Sequence, residues 1–391
     1  MSTVHVRKIK RIAINTGGGD APGLNAVIRA VTLCARRRGW EVVGLRNGYG
    51  SLLGMAPVMK LNHDAVLGIA ALGGTILGTT NKGNPFETHV TYKGRKRLAA
   101  DVIAENFKKM QLDGLIAIGG DGSMRISHQL MQRGIPIIGV PKTIDNDMGC
   151  TYRTFGFDTA VQTATEAIDK LHSTAAAHER IFVVEVMGRY AGWIALHSGL
   201  SGSCNVILIP EIPFTLDAIC RHLLDRKKRG RSHSIVCVAE GSHPQGQGMF
   251  YRGGKEKGRE QRLGGIAEWL AGEIQRNTQL ETRWLVLGHL QRGGSPSTYD
   301  RLLALRYGAA AVRLAAEGLW GHMVSFQPPV MGHVLLEDVI RQSKCVSPYE
   351  DTVLTGREMG MCFGDEIKPH VRNSHPTAKD KTAKTGNRSV V

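Results

Sequence analysis

The sequence predicts an α/β protein in which parallel sheets are covered by helices on both faces, and three observations carry that prediction. The chain has 391 residues, and at roughly 100–200 residues per domain this length favours two domains with a cleft between them. Short apolar runs rich in β-branched residues alternate with helical patterns. The 48 glycines follow no strict period and sit beside the apolar runs, as tight strand-to-helix turns require.

The candidate strands, in order, are 11–15, 41–45, 115–118, 136–140, 181–186, 205–209, 235–239 and 284–287, and their composition suits a buried sheet. The first is followed by a glycine turn and then by a helix from about Gly23 to Arg38, which Gly39 stops. Helices fall between most of the others. Alternation of this kind implies parallel strands, and in parallel sheets ligands gather at the loops leaving the carboxyl ends. Two segments read as peripheral and mobile. Residues 245–265 are Gly-rich and basic with little apolar periodicity, and residues 364–391 are polar and charged with no core face.

Hydrophobic residues make up 42% and charged residues 21%, so neither disorder nor a fibrous repeat is indicated. A formal net charge of +16 points to anionic partners. Much of that charge lies in 36–38, 93–97, 226–231, 255–262 and the tail, which read as solvated faces. With no helix-turn-helix, zinc-finger or RNA-recognition pattern in the sequence, nucleic acid is not an expected partner. Seven cysteines, an odd number with no C-x-x-C pair, read as small hydrophobes of a reduced, cytoplasmic protein. The apolar run at 12–14 is too short for a signal-peptide core, and no stretch reaches the ~18 apolar residues of a membrane span, so no membrane association is expected.

Four groups of residues at strand ends carry chemistry. Thr16-Gly-Gly-Gly-Asp-Ala-Pro-Gly23 follows a strand and opens a helix, where bare N–H groups and the helix dipole could receive phosphate oxygens; plain strand-to-helix geometry would use the same glycines. Ile118-Gly-Gly-Asp-Gly-Ser123 repeats that arrangement with an acid among the glycines. Asp121 is suited to Mg²⁺, which needs only one or two carboxylates beside phosphate oxygens, and equally suited to capping a helix. Pro141-Lys-Thr-Ile-Asp-Asn-Asp147 is the most informative. Carboxylates at 145 and 147, a hydroxyl at 143 and an ammonium at 142 make sense as a base, a second acid and phosphate ligands in one turn, against the alternative of turn chemistry alone. The fourth group is cationic: Arg180, the Met187-Gly188-Arg189 turn, Arg283, and His289 with Arg292 in Gly288-His-Leu-Gln-Arg-Gly-Gly294. Together with Glu240 these fit bidentate recognition of a sugar phosphate. His289 taken alone would as readily be a packed or capping histidine.

Taken in order, GGGDAPG, GGDGS, PKTIDND, VEVMGRYAGW and GHLQRGGSPSTYDR resemble the phosphofructokinase family, and the likeness runs from about residue 10 to about residue 345. The joint order makes the resemblance specific where a single motif would not. It implies two similar, doubly wound αβα-sandwich domains with the active site in the cleft between them. Residues 1–156 with 291–341 would take the phosphoryl donor, residues 157–290 with 342–363 the sugar phosphate, and residues 364–391 would form a basic tail. The implied reaction is Mg²⁺-dependent phosphoryl transfer from ATP to the C1 hydroxyl of fructose 6-phosphate, giving fructose 1,6-bisphosphate.

The resemblance also distributes roles. Asp145 is implied as the base, Asp147 as its neighbour, Thr143 as a contact to the transferred group, Asp121 as the metal ligand, and Lys142, Arg180 and Arg189 as offsets to phosphoryl charge. Gly19, Tyr49, Lys82, Gly120, Gly122 and Ser123 would hold ATP. Thr143 and Asp145 would also touch the sugar, with Met187, Gly188, Arg189, Glu240, His289 and Arg292 forming its pocket. Arg180 and Arg283 are implied to reach in from a neighbouring subunit, which makes the enzyme a homodimer or homotetramer.

The sequence departs from the family pattern at the donor. Diphosphate-using members tend to carry an Asp at the position of Gly122 and a Lys at that of Lys142, whereas common ATP-using bacterial members tend to have Gly at both; this chain is mixed. Two unit charges about 4 Å apart interact by roughly 4 kcal/mol at an effective dielectric near 20. An Asp at 122 would therefore oppose a triphosphate, and its absence favours ATP. In Leu77-Gly-Thr-Thr-Asn-Lys-Gly-Asn-Pro-Phe86 the usual Arg is replaced by Asn81, with Lys82 as the available cation. Leu33, His172 and Asn205 stand where regulatory charges are typical, while Arg29, Arg229 and Arg231 remain basic. Two rivals stay open: a diphosphate-dependent phosphotransferase acting on fructose 6-phosphate or sedoheptulose 7-phosphate, and a catalytically silent nucleotide-sensing subunit. A nicotinamide dehydrogenase is disfavoured because no G-x-G-x-x-G with a downstream acid is present.

Overall fold

The computed structural model describes residues 9–81, 83–252 and 262–366. Strands that the sequence makes apolar throughout lie at the centre of a seven-stranded sheet. Its spatial order is Val330–Leu335, His322–Gln327, Ile137–Pro141, Gly114–Gly119, Arg11–Thr16, Glu41–Gly44 and Met59–Leu61. The five inner strands run parallel and the two outermost pair antiparallel. Gly114–Gly119 and Ile137–Pro141 are buried at every position, as strands covered on both faces must be. Side chains alternate between the layers: Ile12, Ile14, Ile116 and Ile118 enter one core, Ala13, Leu115 and Ala117 the other.

A second, four-stranded sheet is wholly parallel, in the order Thr282–Val286, Ile181–Val186, Ser234–Ala239 and Val206–Leu208. It too separates two cores, with Val184, Ile235 and Cys237 on one side and Val183, Val236 and Val238 on the other. The long helix Phe157–Ala177 carries the chain towards this sheet, and the helix Thr298–Ala316 brings it back to pack on Leu24–Arg37. Gly308 permits that approach, since a Cβ there would lie 2.7 Å from the Val27 carbonyl oxygen.

Register places the site. Thr16 pairs with Ile118, and Gly119 pairs with Pro141. The turns 17–20, 119–123 and 142–147 therefore leave adjacent strands at the same end. In the second sheet Ala239 is level with Val186, and Val286 with Glu185, so the turns after those strands also share one end.

Several expectations need correction. The antiparallel hairpin of His322–Gln327 with Val330–Leu335 was absent from the expected strands, as was the surface hairpin His89–Tyr92 with Arg95–Leu98. Both contain exposed and half-buried strands without a continuous apolar run. Within 245–265, Tyr251–Arg252 pairs with Arg262–Leu263, and Gly265 precedes the helix Ile266–Thr278 at φ 95°. Of the expected tail, the Gly364 carbonyl accepts from Thr215 N–H at 2.8 Å and Asp365 pairs with Arg357; residues 253–261 and 367–391 lie outside the described residues. No described helix is long and apolar enough to cross a membrane.

Candidate active site

The first glycine turn is stitched to its neighbours through the backbone. Gly17 N–H donates to the Ile118 carbonyl at 2.9 Å and Gly18 N–H to the Thr80 carbonyl at 3.0 Å. Thr79 Oγ1 donates to the Gly18 carbonyl at 2.6 Å. Gly18 has φ 78°, a region that costs a side-chain-bearing residue and that Gly enters freely. Ser123 fills the space beneath both glycine turns: a Cβ on Gly17 would lie 2.8 Å from its Oγ, and one on Gly119 would overlap it. At Gly122, in contrast, a Cβ would meet no described atom within 4 Å. Asp121 opens the helix Asp121–Met131, half exposed, and pairs with Arg125 one turn on at 2.9 Å.

The 141–147 turn is buried and pinned. Lys142 N–H donates to the Gly119 carbonyl at 2.9 Å. Thr143 Oγ1 accepts from Asp145 N–H at 3.0 Å, and Thr154 Oγ1 donates to the Thr143 carbonyl at 2.8 Å. Thr154 N–H donates to Asn146 Oδ1 at 3.2 Å, and Asn146 has φ 52°, a conformation Asn tolerates better than most residues. The Lys142 ammonium is 4% exposed and donates to the Gly19 carbonyl. Burial and the nearby Arg292 pull its pKa down to about 8, against Asp145, Asp20 and Asp147.

Asp145 is 6% exposed, and its Oδ1 has no hydrogen-bond partner among the described residues. Buried acceptors are normally satisfied, so an orphaned one in a cleft is a place for a donor from outside the protein. Burial raises the Asp145 pKa; Arg292, Arg189 and Lys142 oppose this and Glu240 reinforces it. Those groups come from both sheets. Burial also raises Asp147, to about 7, helped by Asp145 and then by Asp121. The carboxylates at 121, 145 and 147 thus share one electrostatic neighbourhood.

The turns of the second sheet present the opposing cations. Arg189 (φ 49°) donates its N–H to Glu240 Oε1 at 3.2 Å. A Cβ on Gly241 would overlap the Arg189 carbonyl oxygen, so backbone meets backbone there. Burial raises the Glu240 pKa, and the Arg189 amide and the two arginines counter it. His289, exposed, and Arg292 belong to the 3-10 helix Gly288–Arg292. The Arg292 guanidinium lies directly over Gly19, where any Cβ would overlap it. The described residues hold no group of three or more His, Cys, Asp or Glu that could bind a metal by themselves; Mg²⁺, for which Asp121 is the expected ligand, needs only one or two carboxylates beside water and phosphate oxygens.

A family model described as phosphofructokinase matches residues 11–315. The chain belongs to the phosphofructokinase family. It is 49% identical over 362 residues to an ATP-dependent 6-phosphofructokinase of Chloroflexus aurantiacus, covering 92% of this chain and 99% of that one. Among solved structures it is similar to Pichia pastoris phosphofructokinase in the T-state, with TM-score 0.75 and 30% identity; the match covers 87% of this chain but only 36% of that longer one. It is also similar to a pyrophosphate-dependent phosphofructokinase from Nitrosospira multiformis, with TM-score 0.74 and 23% identity over 94% of this chain and 95% of that one. At that identity the likeness shows the phosphofructokinase fold alone.

Not every expected residue of the phosphofructokinase site joins it within one chain. Arg180 precedes the strand Ile181–Val186 and Arg283 is the second residue of Thr282–Val286. The register of Thr282 with Ile181 sets both at the amino ends of the second sheet, where both pair with Glu281. Both therefore stand away from the turns of their own chain that carry Arg189 and Arg292. Tyr49 is half-buried, and burial raises its pKa, with Ser127 and Asn15 nearby opposing the rise. Lys82 lies outside the described residues. Residues that the sequence did not single out include Gly241 and Glu211, whose carboxylate takes Gly192 N–H at 3.0 Å and Val346 N–H at 2.8 Å. A lone Glu after Pro210 carries no signal that its partners lie 19 and 135 residues further off or back along the chain.

Proposed function

We propose that this phosphofructokinase is an ATP-dependent 6-phosphofructokinase, transferring the terminal phosphoryl group of ATP to the C1 hydroxyl of fructose 6-phosphate. The observation that carries the reading is Asp145: buried, with an unfilled acceptor, and facing Lys142 from one sheet and Arg189, Glu240 and Arg292 from the other. Asp145 takes the hydroxyl proton as the C1 oxygen attacks the terminal phosphorus. Lys142 and Arg292 offset charge on the transferred group, and Thr143 and the glycine turns hold its oxygens. Asp121 would hold Mg²⁺, with Asp147 assisting nearby, and the ion would offset charge on the donor phosphates. No covalent enzyme intermediate is needed.

The sugar phosphate sits against Met187, Gly188, Arg189, Glu240, His289 and Arg292, and the donor against Gly19, Gly120, Gly122 and Ser123, with Tyr49 and Lys82 beside it. The halves 1–156 with 291–341 and 157–290 with 342–363 then serve donor and acceptor respectively. Arg180 and Arg283 act on the pocket of a second copy in a homodimer or homotetramer, since their place at the far ends of their strands keeps them from their own. All seven cysteines are free, in keeping with a reducing cytoplasm.

Open space at Gly122 supports ATP, as does the name of the Chloroflexus relative. The buried Lys142 ammonium favours the second reading, a diphosphate donor. Initial rates of fructose 6-phosphate phosphorylation with ATP and with diphosphate, each with and without Mg²⁺, separate the two. Efficient Mg²⁺-dependent turnover with ATP and weak turnover with diphosphate is expected; the reverse ratio assigns the donor to diphosphate.

A further inference from the structure

Asp300 is fully buried and touches none of the cleft residues described above, yet it closes a ring of polar contacts between two helix starts. It lies in the first turn of Thr298–Ala316. One carboxylate oxygen accepts from both the N–H and the Oγ1 of Thr159, each at 2.7 Å, and Thr159 lies in the first turn of Phe157–Ala177. Thr159 Oγ1 in turn accepts from Ser297 N–H at 2.9 Å. Ser297 Oγ donates to Asp158 at 2.6 Å and accepts from Asp300 N–H at 3.2 Å.

A third helix start meets the same point. Gly23 precedes Leu24–Arg37 at φ 106°, and a Cβ there would lie 2.9 Å from the Phe155 ring and 3.6 Å from the Asp300 carbonyl oxygen. Gly156, at φ 99°, packs in the same way against Ala21 and Ile144. Each of the three helices starts shortly after a turn that builds the cleft: the first glycine turn, the Asp145 turn and the Arg292 turn. The positive ends of Phe157–Ala177 and Thr298–Ala316 would repel at this junction, and the buried Asp300 carboxylate, with Asp158 beside it, offsets them. Its burial, which raises the pKa to about 6, is a cost that a cap on an exposed helix end would not incur.

We propose that Asp300 is a positioning residue for phosphoryl transfer, clasping the two crossings between the sheets so that Asp145 and Arg292 keep their separation. The inference rests on the reaction proposed above and names a residue that never touches substrate. Displacing reacting groups by about 1 Å can cost about 100-fold in rate.

The test compares wild type with Asp300→Asn, Thr159→Val and Thr159→Ser by kcat, by KM for each substrate and by thermal midpoint. Thr159→Val removes the shared hydroxyl at nearly constant shape, and the Ser variant restores it, so this pair carries the test if Asp300→Asn fails to fold. Expected for Asp300→Asn and Thr159→Val is a kcat lower by about 10- to 100-fold with KM for ATP within about twofold of wild type, and for Thr159→Ser recovery to within about threefold. A Thr159→Val enzyme with a lowered thermal midpoint but undiminished kcat would reduce the clasp to plain stability and overturn the inference. Absence of fructose 6-phosphate phosphorylation in wild type would instead overturn the reaction reading.

Discussion

Asp145 and Asp147 lie two residues apart in a largely buried turn; burial raises both, and Asp145 raises Asp147 further. They titrate as a pair. A base works deprotonated, and both carboxyls are raised, so activity is present at high pH and lost as pH falls through the raised values. The kcat/KM profile for fructose 6-phosphate should therefore show an acid limb above the ordinary carboxylate value of about 4, in the direction burial moves Asp145. A limb at about 4 would contradict the burial argument. Gly122 offers the second test at this scale. Because a Cβ there meets nothing described within 4 Å, Gly122→Asp should leave the thermal midpoint nearly unchanged while lowering kcat/KM for ATP at least about tenfold by charge repulsion. Diphosphate use should suffer far less, and equal loss with both donors would count against the repulsion.

Turns at strand ends, more than the strands themselves, decide what this fold can bind. Gly241 and the Arg189 carbonyl lie backbone to backbone, and Arg189 N–H is already committed to Glu240. Gly241→Ala should consequently destabilise the protein by about 1–3 kcal/mol, the usual range for overpacking. It should also raise KM for fructose 6-phosphate and leave KM for ATP near wild type, which steady-state kinetics and thermal unfolding would show together. The strands under these turns were legible in the sequence because Arg11–Thr16, Gly114–Gly119 and Ile181–Val186 are nearly continuous apolar runs ended by glycine or a charged turn. Val330–Leu335 was not legible, since its exposed and half-buried residues carry no such run. Within the site, Lys142, Thr143, Asp145 and Asp147 could be read because they occupy one turn. The contacts of Glu211 and Gly241 could not, because they join segments that meet only after folding.

For the whole molecule, the sequence foretold parallel sheets, and its candidate strands 181–186 and 284–287 already set Arg180 and Arg283 just ahead of their amino ends. Both stand at amino ends, opposite the turns that carry Arg189 and Arg292. If they serve a neighbour's pocket, Asp145→Ala and Arg180→Ala chains, each nearly inactive alone, should complement when co-assembled. Random mixing makes about a quarter of the pockets whole, with Asp145 from one copy and Arg180 from the other. No recovery on mixing would contradict a pocket built from two copies.

Asp145 carries the proposed reaction as the base of a site assembled from both sheets. Turnover of Asp145→Ser measured against wild type, at saturating ATP and varied fructose 6-phosphate, tests this most directly. The predicted result is a kcat lower by about 10²–10⁴, the usual contribution of positioned proton removal, with KM for the sugar phosphate little changed. Turnover equal to that of wild type would contradict it.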